Sequence, residues 1–272
     1  MAILEPFALA IGFLLSFIYD YTNSYGFSIV ILTVIINIII FPLTLRQTRS
    51  TKRMQDAQSD IKKLQKEYKD NKEELNKAMA NMYKEKGINP LGCILPLIIQ
   101  MPIWFALFRV LREPLAFIQS SSNLFQNLEI HEGLSFFAMD LQIPPSEVIS
   151  WGERVPYLLL ILLVILTALY QQNQIQKKSG KPDNPQAQQM QMIGKVMPLF
   201  FGFISWTLPT GLVLYFLTGN IFRIGQQALI VKIDDKEIEN KNSNKKEEKN
   251  ETDADSPISE NPRKNRKKRR RK

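Results

Sequence analysis

Uncharged stretches and charged ones alternate along this chain, and the alternation is its main structural signal. Gly26 to Leu45 reads GFSIVILTVIINIIIFPLTL without a single charge. As a helix rising about 1.5 Å per residue, that block covers about 30 Å, one hydrocarbon thickness. Leu91 to Phe108 is a second uncharged block, and Val155 to Tyr170 a third, shorter and intensely aliphatic. Val196 to Leu208 is short for a span; Gly211 to Val231 is long but carries Arg223 and two glutamines. Only Pro209-Thr210 separates these last two, so they predict a tight helical hairpin. Alone, the fourth block could be a buried helix of a soluble protein; paired with the fifth it reads as a short span, with local bilayer thinning taking up the mismatch. The predicted spans are about 26–45, 91–112, 155–173, 193–208 and 210–231.

Residues 1–25 differ. They are apolar but hold Glu5, Pro6 and Asp20, and they lack the basic start and small-residue cleavage site of a secretory signal. The segment predicts a helix lying in the membrane interface, with a partial span or an uncleaved anchor left open. Between the first two spans, residues 46–90 predict a charged helical hairpin. Met54, Ala57, Ile61, Leu64 and Tyr68 recur at alternating spacings of three and four, a heptad seam, and Leu75, Met79 and Met82 form a second stripe. Lys69-Asp70-Asn71 suits the turn, and Gly87 with Asn89-Pro90 ends the second helix. The expected fold class is an all-α integral membrane protein: five transmembrane helices in a core of 26–231, the hairpin of 46–90 projecting from it, and an N-terminal interfacial helix.

Composition alone would mislead. Hydrophobic residues are 45% of the 272, the mean hydropathy is −0.13 and the net charge is +9, values an ordinary soluble protein could have. The placement of charge says more. The segment 46–90 holds 12 basic and 7 acidic residues, whereas 113–154 holds one basic and six acidic. Segments 171–195 and 232–272 are again rich in lysine. Lysine and arginine mark cytoplasmic loops, so the alternation predicts an external N-terminus and a cytoplasmic C-terminus. Cys93 is the one cysteine and His131 the one histidine. That leaves no disulfide framework and almost no room for a His-based metal centre or a Ser-His-Asp triad.

The candidate chemistry is polarity inside the spans. Thr33 and Asn37 share a face of the first, Gln100 sits between Pro96 and Pro102 in the second, Thr167 lies in the third, and Thr218, Asn220 and Arg223 lie in the fifth. Asn37 is about 17 Å along its helix from Gly26 and Arg223 about 18 Å from Gly211, both near mid-bilayer. Polar groups in hydrocarbon must face protein or water. For a lone threonine or glutamine, hydrogen-bonded glue between helices is the plain alternative. Arg223 needs more, because no span offers a carboxylate. Polar groups on four spans therefore suggest a shared hydrophilic interior.

The end of the chain, 232–272, is predicted to be a disordered basic tail. Asp234 to Glu260 is polar and charge-mixed. It is followed by Arg263, Lys264, Arg266, Lys267, Lys268, Arg269, Arg270, Arg271 and Lys272, a run suited to polyanions such as ribosomal RNA or anionic lipid headgroups. Enforcing topology by charge is the simpler role for it.

Several short segments, in order, resemble the YidC family of membrane protein insertases, which includes the Oxa and Alb proteins. They are Tyr25-Gly26-Phe27-Ser28, Phe41-Pro42-Leu43-Thr44, Asn89-Pro90-Leu91-Gly92, Pro96-Leu97 with Gln100-Met101-Pro102, and Pro209-Thr210-Gly211-Leu212-Val213-Leu214-Tyr215 followed by Asn220 and Gln226-Gln227. The resemblance covers roughly residues 5–232 and matches the short, five-span form of the family. It implies an insertase and chaperone for nascent membrane proteins in a bacterial cell membrane, working alone or with the Sec translocon, with no cofactor and no enzymatic activity. It further implies a groove open to cytoplasm and lipid, a cytoplasmic hairpin that receives substrate, and a tail that contacts the ribosome. One departure stands out. Where the family usually carries an arginine in the first span, this chain has Asn37. Arg223 is the candidate replacement, with a groove kept wet by Asn37 alone as the plainer possibility. A transporter would show repeated halves, and none is visible; an intramembrane enzyme would need paired reactive groups; a passive scaffold would share the topology.

Overall fold

The computed structural model describes residues 4–88, 95–131, 133–176 and 185–254. Helix α1 (Glu5–Thr22) accepts Pro6 in its first turn, where a backbone donor would have no partner. It ends at Asn23, a left-handed residue with φ of 47° whose amide bonds the Tyr19 carbonyl. Asparagine tolerates that conformation better than most residues. Helix α2 (Tyr25–Asp56) starts two residues later, so α1 folds straight back onto it. Helices α3 (Gln58–Glu67) and α4 (Lys72–Glu85) follow. The Asn71 side chain caps α4 by accepting from the amides of Glu73 and Glu74. Helix α5 (Leu95–Arg112), a 3₁₀ turn at Pro114–Ala116 and α6 (Asn123–Glu129) lead to a two-stranded antiparallel ladder, β1 (Ser135–Phe136) and β2 (Met139–Asp140). Helices α7 (Trp151–Gln176), α8 (Pro185–Ser205) and α9 (Thr210–Ala254) complete the order.

The helical class expected from the sequence holds, with the small β-ladder as an addition. Several boundaries move. Helix α2 does not stop where its apolar block ends at Leu45 but continues to Asp56, because Arg46 to Asp56 contains neither glycine nor proline. Helix α8 begins at Pro185, ahead of the expected 193. Helix α9 continues to Ala254, through residues expected to be disordered. From Gln226 to Ser256 no helix breaker occurs, and Lys and Glu, both good helix formers, fill much of it. Asn89-Pro90, the first residues of the second span, and the basic run 263–272 lie outside the described residues.

Two helices among the described residues are long and apolar enough to cross a membrane, Tyr25–Met54 and Trp151–Gln174; Val196–Ser205 is a shorter apolar helix. In each of the two long ones only 22% of the apolar window is buried inside the protein. A core helix of a soluble domain would be mostly covered, so these helices present their aliphatic faces outward.

The chain divides into two compact units, Met1–Gln226 and Gln227–Lys272. In the first, the apolar core is gathered at the end of the bundle where α2 and α9 begin. Leu15 of α1, Ile29 and Leu32 of α2, Leu107 and Val110 of α5, Val164 of α7 and Leu212 and Tyr215 of α9 are fully or almost fully buried there. Helix α1 sorts its side chains accordingly. Ala8, Ile11, Leu15, Ile18 and Tyr19 face the core, while Leu9, Phe13, Phe17 and Tyr21 point away from it. A separate small cluster, Ala57, Met82 and Ile88 with Met54, Ile61, Leu64 and Tyr83 against it, ties the start of α3 to the end of α4. These two helices are therefore antiparallel. Asp60 completes the join with ion pairs to Lys86 and, at 3.2 Å, to Lys63.

Two outcomes are expected. Leu15→Ala removes a side chain with no exposed surface and should cost about 2–5 kcal/mol in detergent unfolding, whereas Phe13→Ala, 55% exposed, should stay within about 1 kcal/mol. The Asp60 carboxyl is held below its ordinary range, chiefly by the hydrogen bond from Lys86 and then by that from Lys63. Its contribution is thus present above the usual aspartate range and fades as pH falls through the lowered value. Lys86→Met should shift the Asp60 titration, followed by NMR of the carboxyl carbon, upward toward the ordinary range.

Candidate functional site

On three helices of the first unit, the apolar core gives way to polar groups at one level. Leu32 is followed by Thr33 on α2, Val164 by Thr167 on α7, and Phe216 by Gly219 and Asn220 on α9. Helices α2 and α9 run in the same direction, since Ile29 approaches Gly211 while Thr33 lies farther along, beside Gly219. A Cβ on Gly219 would sit 4.0 Å from Cγ2 of Thr33 and 3.1 Å from Nη2 of Arg223. Thr33 of α2 and the Arg223 guanidinium thus both lie against α9 at Gly219.

Asn37 and Arg223 each stand four residues beyond that contact, about 6 Å farther along parallel helices. Each folds back one turn: Asn37 Nδ2 donates to the Thr33 carbonyl at 2.8 Å, and Arg223 Nε donates to the Gly219 carbonyl at 3.2 Å. Thr33 itself is fully buried and donates to the Ile29 carbonyl at 2.6 Å. Gln100 of α5 donates its Nε2 to the Tyr215 hydroxyl of α9 at 2.9 Å, one helical turn before Gly219. Asn220 turns the other way. Its Nδ2 lies 3.4 Å from both the Val164 carbonyl and Oγ1 of Thr167, which binds α9 to α7. Thr167 meanwhile donates to the Leu163 carbonyl at 2.7 Å.

Five of the seven polar residues read from the sequence therefore lie on α9 or against it: Thr33, Gln100 and Arg223 on the side of Tyr215 and Gly219, Asn220 and Thr167 on another, while Asn37 bonds its own helix one turn beyond Thr33. Thr218 stands apart. At about 100° per residue it lies opposite Asn220 on the helix, and its hydroxyl bonds the Leu214 carbonyl at 2.9 Å. The basic residues 263–272 lie outside the described residues. Among the described residues no carboxylate pairs with Arg223; the Gly219 carbonyl accepts its Nε–H.

Three further groups were not among the site residues read from the sequence, although Tyr215 and Gln226 belong to the segments that carry the family resemblance. Tyr215 accepts from Gln100, a partnership that the sequence does not mark. Gln47 and Gln226 are buried, and the Nε2 of each lacks a hydrogen-bond partner among the described residues. Their signal was present as spacing: Gln47 falls on the face of Thr33, Asn37 and Thr44, and Gln226 three residues after Arg223. Buried amides in such a position are satisfied by water when the site is roomy enough.

Known proteins bear on this arrangement. A sequence profile of the family described as "60Kd inner membrane protein" matches residues 17–237. The membrane protein insertase YidC of Clostridium tetani is 32% identical over 243 residues, covering 89% of this chain and 97% of that protein. Its counterpart in Fusobacterium nucleatum is 34% identical over 222 residues, covering 82% of this chain and 93% of that one. The counterpart in Treponema denticola is 34% identical over 235 residues, but the matched region is only 38% of that longer protein. A solved structure, an active YidC insertase with its first transmembrane domain resolved, matches with a TM-score of 0.50 and 26% identity, over 78% of this chain and 43% of that one. With a profile match across most of its length and relatives matched nearly end to end, the chain belongs to the 60Kd inner membrane protein family, the YidC family.

Proposed function

We propose that this protein is an insertase of the bacterial inner membrane, which moves the polar flank of a nascent membrane protein through the bilayer and releases its apolar segment into lipid. The observation that carries the proposal is the polar level on α2, α7 and α9 lying directly beyond a dry core. A polar segment crossing hydrocarbon loses several kcal/mol per unsatisfied group. A notch lined by Asn37, Arg223, Gln100 and the amides of Gln47 and Gln226 offers those groups partners partway across. The core of Leu32, Val110, Val164 and Leu212 closes the same notch at its far end, so no open pore results. The outward-facing aliphatic residues of α7, such as Leu159, Leu162 and Leu166, give the client's apolar segment a surface continuous with lipid.

In this reading the five apolar blocks are five spans. Tyr25 and Thr210 stand at the outer surface, the α3–α4 hairpin projects into the cytoplasm, and α1 lies in the outer interface with Phe13 and Phe17 toward lipid. The hairpin receives clients, and the basic residues 263–272 contact ribosomal RNA or anionic lipid. The protein acts alone or beside the Sec translocon, without a cofactor or covalent chemistry. Thr218 belongs to the lining of a different helix face and contributes least. Arg223 supplies the cation that Asn37 lacks. The two lie at one depth on facing helices, and both fold onto the Thr33–Gly219 contact. A cation there draws acidic client segments inward, with a strength set by the low local dielectric.

The test is reconstitution of the purified protein in liposomes with a single-span client bearing a short acidic flank, scored by protection of that flank from external protease. Protection above that of empty liposomes is expected; its absence would leave only a passive scaffold. Arg223→Ala should lower the protected fraction of acidic-flanked clients about ten-fold, equivalent to about 1.4 kcal/mol. It should affect uncharged flanks far less. Asn37→Arg in the Arg223→Ala background should restore insertion. If Arg223→Ala inserts acidic clients at the original rate, the arginine has no such role and Asn37 suffices.

A further inference from the structure

The β1–β2 hairpin is absorbed by nothing in the proposed insertion mechanism. Its base is held on every side. The Asp140 amide donates to the Tyr157 hydroxyl of α7 at 2.7 Å, the Gly211 amide of α9 donates to the Leu141 carbonyl at 2.7 Å, and Met139 and Leu141 are buried. Phe136 packs so closely on the first turn of α2 that a Cβ on Gly26 would collide with its ring. Its tip is the reverse. Phe137 is 76% exposed and Ala138 beside it is also exposed. Both have positive φ, 48° and 60°, in a two-residue loop where Asn-Gly is the favoured pair. An aromatic and an alanine therefore occupy positions that local backbone preference would assign otherwise, and the aromatic is displayed.

What it is displayed to follows from its neighbours. Phe27, Phe136 and Phe137 form a chain of edge-to-face rings, with centroids 5.2 and 4.5 Å apart. Phe27 is itself exposed and heads a stripe on α2 with Ile31 and Ile38, spaced four and seven residues apart and all exposed. That stripe is the outward apolar face of a helix long enough to span the membrane. The hairpin tip extends it past the end of the helix, at the level where α2 begins. Near the start of α7 stand Trp151, 75% exposed, and Arg154, which lies over the rings of both Trp151 and Trp206 at 5.1 and 5.6 Å. Tryptophan and arginine in such an arrangement mark a membrane–water boundary. The tip Phe136-Phe137-Ala138-Met139 is uncharged.

We infer that the hairpin tip is a lipid-binding pin: Phe137 inserts among the headgroups and upper acyl chains of the leaflet at which α2 begins. The occupant is the bilayer interface itself, because the exposed rings continue an aliphatic face that already lies in lipid. The pin would fix the 123–150 region against the membrane, which an insertase needs if the closed end of its notch is not to lift when a client enters. The inference requires only that α2 spans the membrane, so it stands or falls separately from the insertion assay.

The test uses the full chain in phosphatidylethanolamine–phosphatidylglycerol liposomes. Cys93→Ser removes the one cysteine, and Ala138→Cys carries a nitroxide beside native Phe137. Collision rates with oxygen, which concentrates in lipid, and with a nickel chelate, which stays in water, give its depth. Oxygen collisions should dominate by several-fold, and adding Phe137→Asn, which suits the positive φ, should shift the balance toward nickel by at least about three-fold while thermal stability in detergent is kept. Dominant nickel collisions with Phe137 in place would overturn the inference. So would a label that neither collider reaches, which means a protein surface covers the tip, or a depth unchanged by Phe137→Asn.

Discussion

The structure turns on the depth at which a dry core yields to polar side chains. Below Thr33, Thr167 and Gly219 the helices interlock through Leu, Ile and Val; beyond them they meet through hydroxyls, amides and one guanidinium. In hydrocarbon each such group must find a partner within the protein or bring water with it. The first polar layer is bonded to its own helix backbones and across to neighbours, and farther along Gln47 and Gln226 hold amide donors that the described protein groups do not satisfy.

Gly219 marks the place where α2 and α9 meet: Thr33 lies against it, and Arg223 folds back onto its carbonyl. Arg223 is half-buried and has no carboxylate beside it among the described residues, so the bond from its Nε to the Gly219 carbonyl offsets only part of the cost of placing a cation there.

The elements around the notch divide the work by stiffness. The core-side end, with α1, α6 and the β-hairpin packed on α2, α5 and α7, is densely buried. The α3–α4 hairpin is held by a cluster of a few side chains and by an exposed ion pair at Asp60, whose strength falls with salt and with acid.

Much of this was legible in the order of residues. Apolar blocks a bilayer long, a heptad seam between charged residues, and polar side chains at mid-span all follow from periodicities that the backbone imposes whatever its neighbours. Helix ends were less legible. The backbone continues a helix until a breaker or a competing contact stops it, so α2 and α9 overrun the apolar blocks that announced them. The partnerships were not legible at all. Which face of α9 turns toward α2 is settled by how the whole bundle packs. That rotation puts Gly219 against Thr33, Tyr215 with Gln100 and Asn220 with Thr167, and leaves Thr218 bonded to its own helix. The β-ladder likewise exists because α2, α7 and α9 hold its base, and four residues of sequence carry no sign of that support.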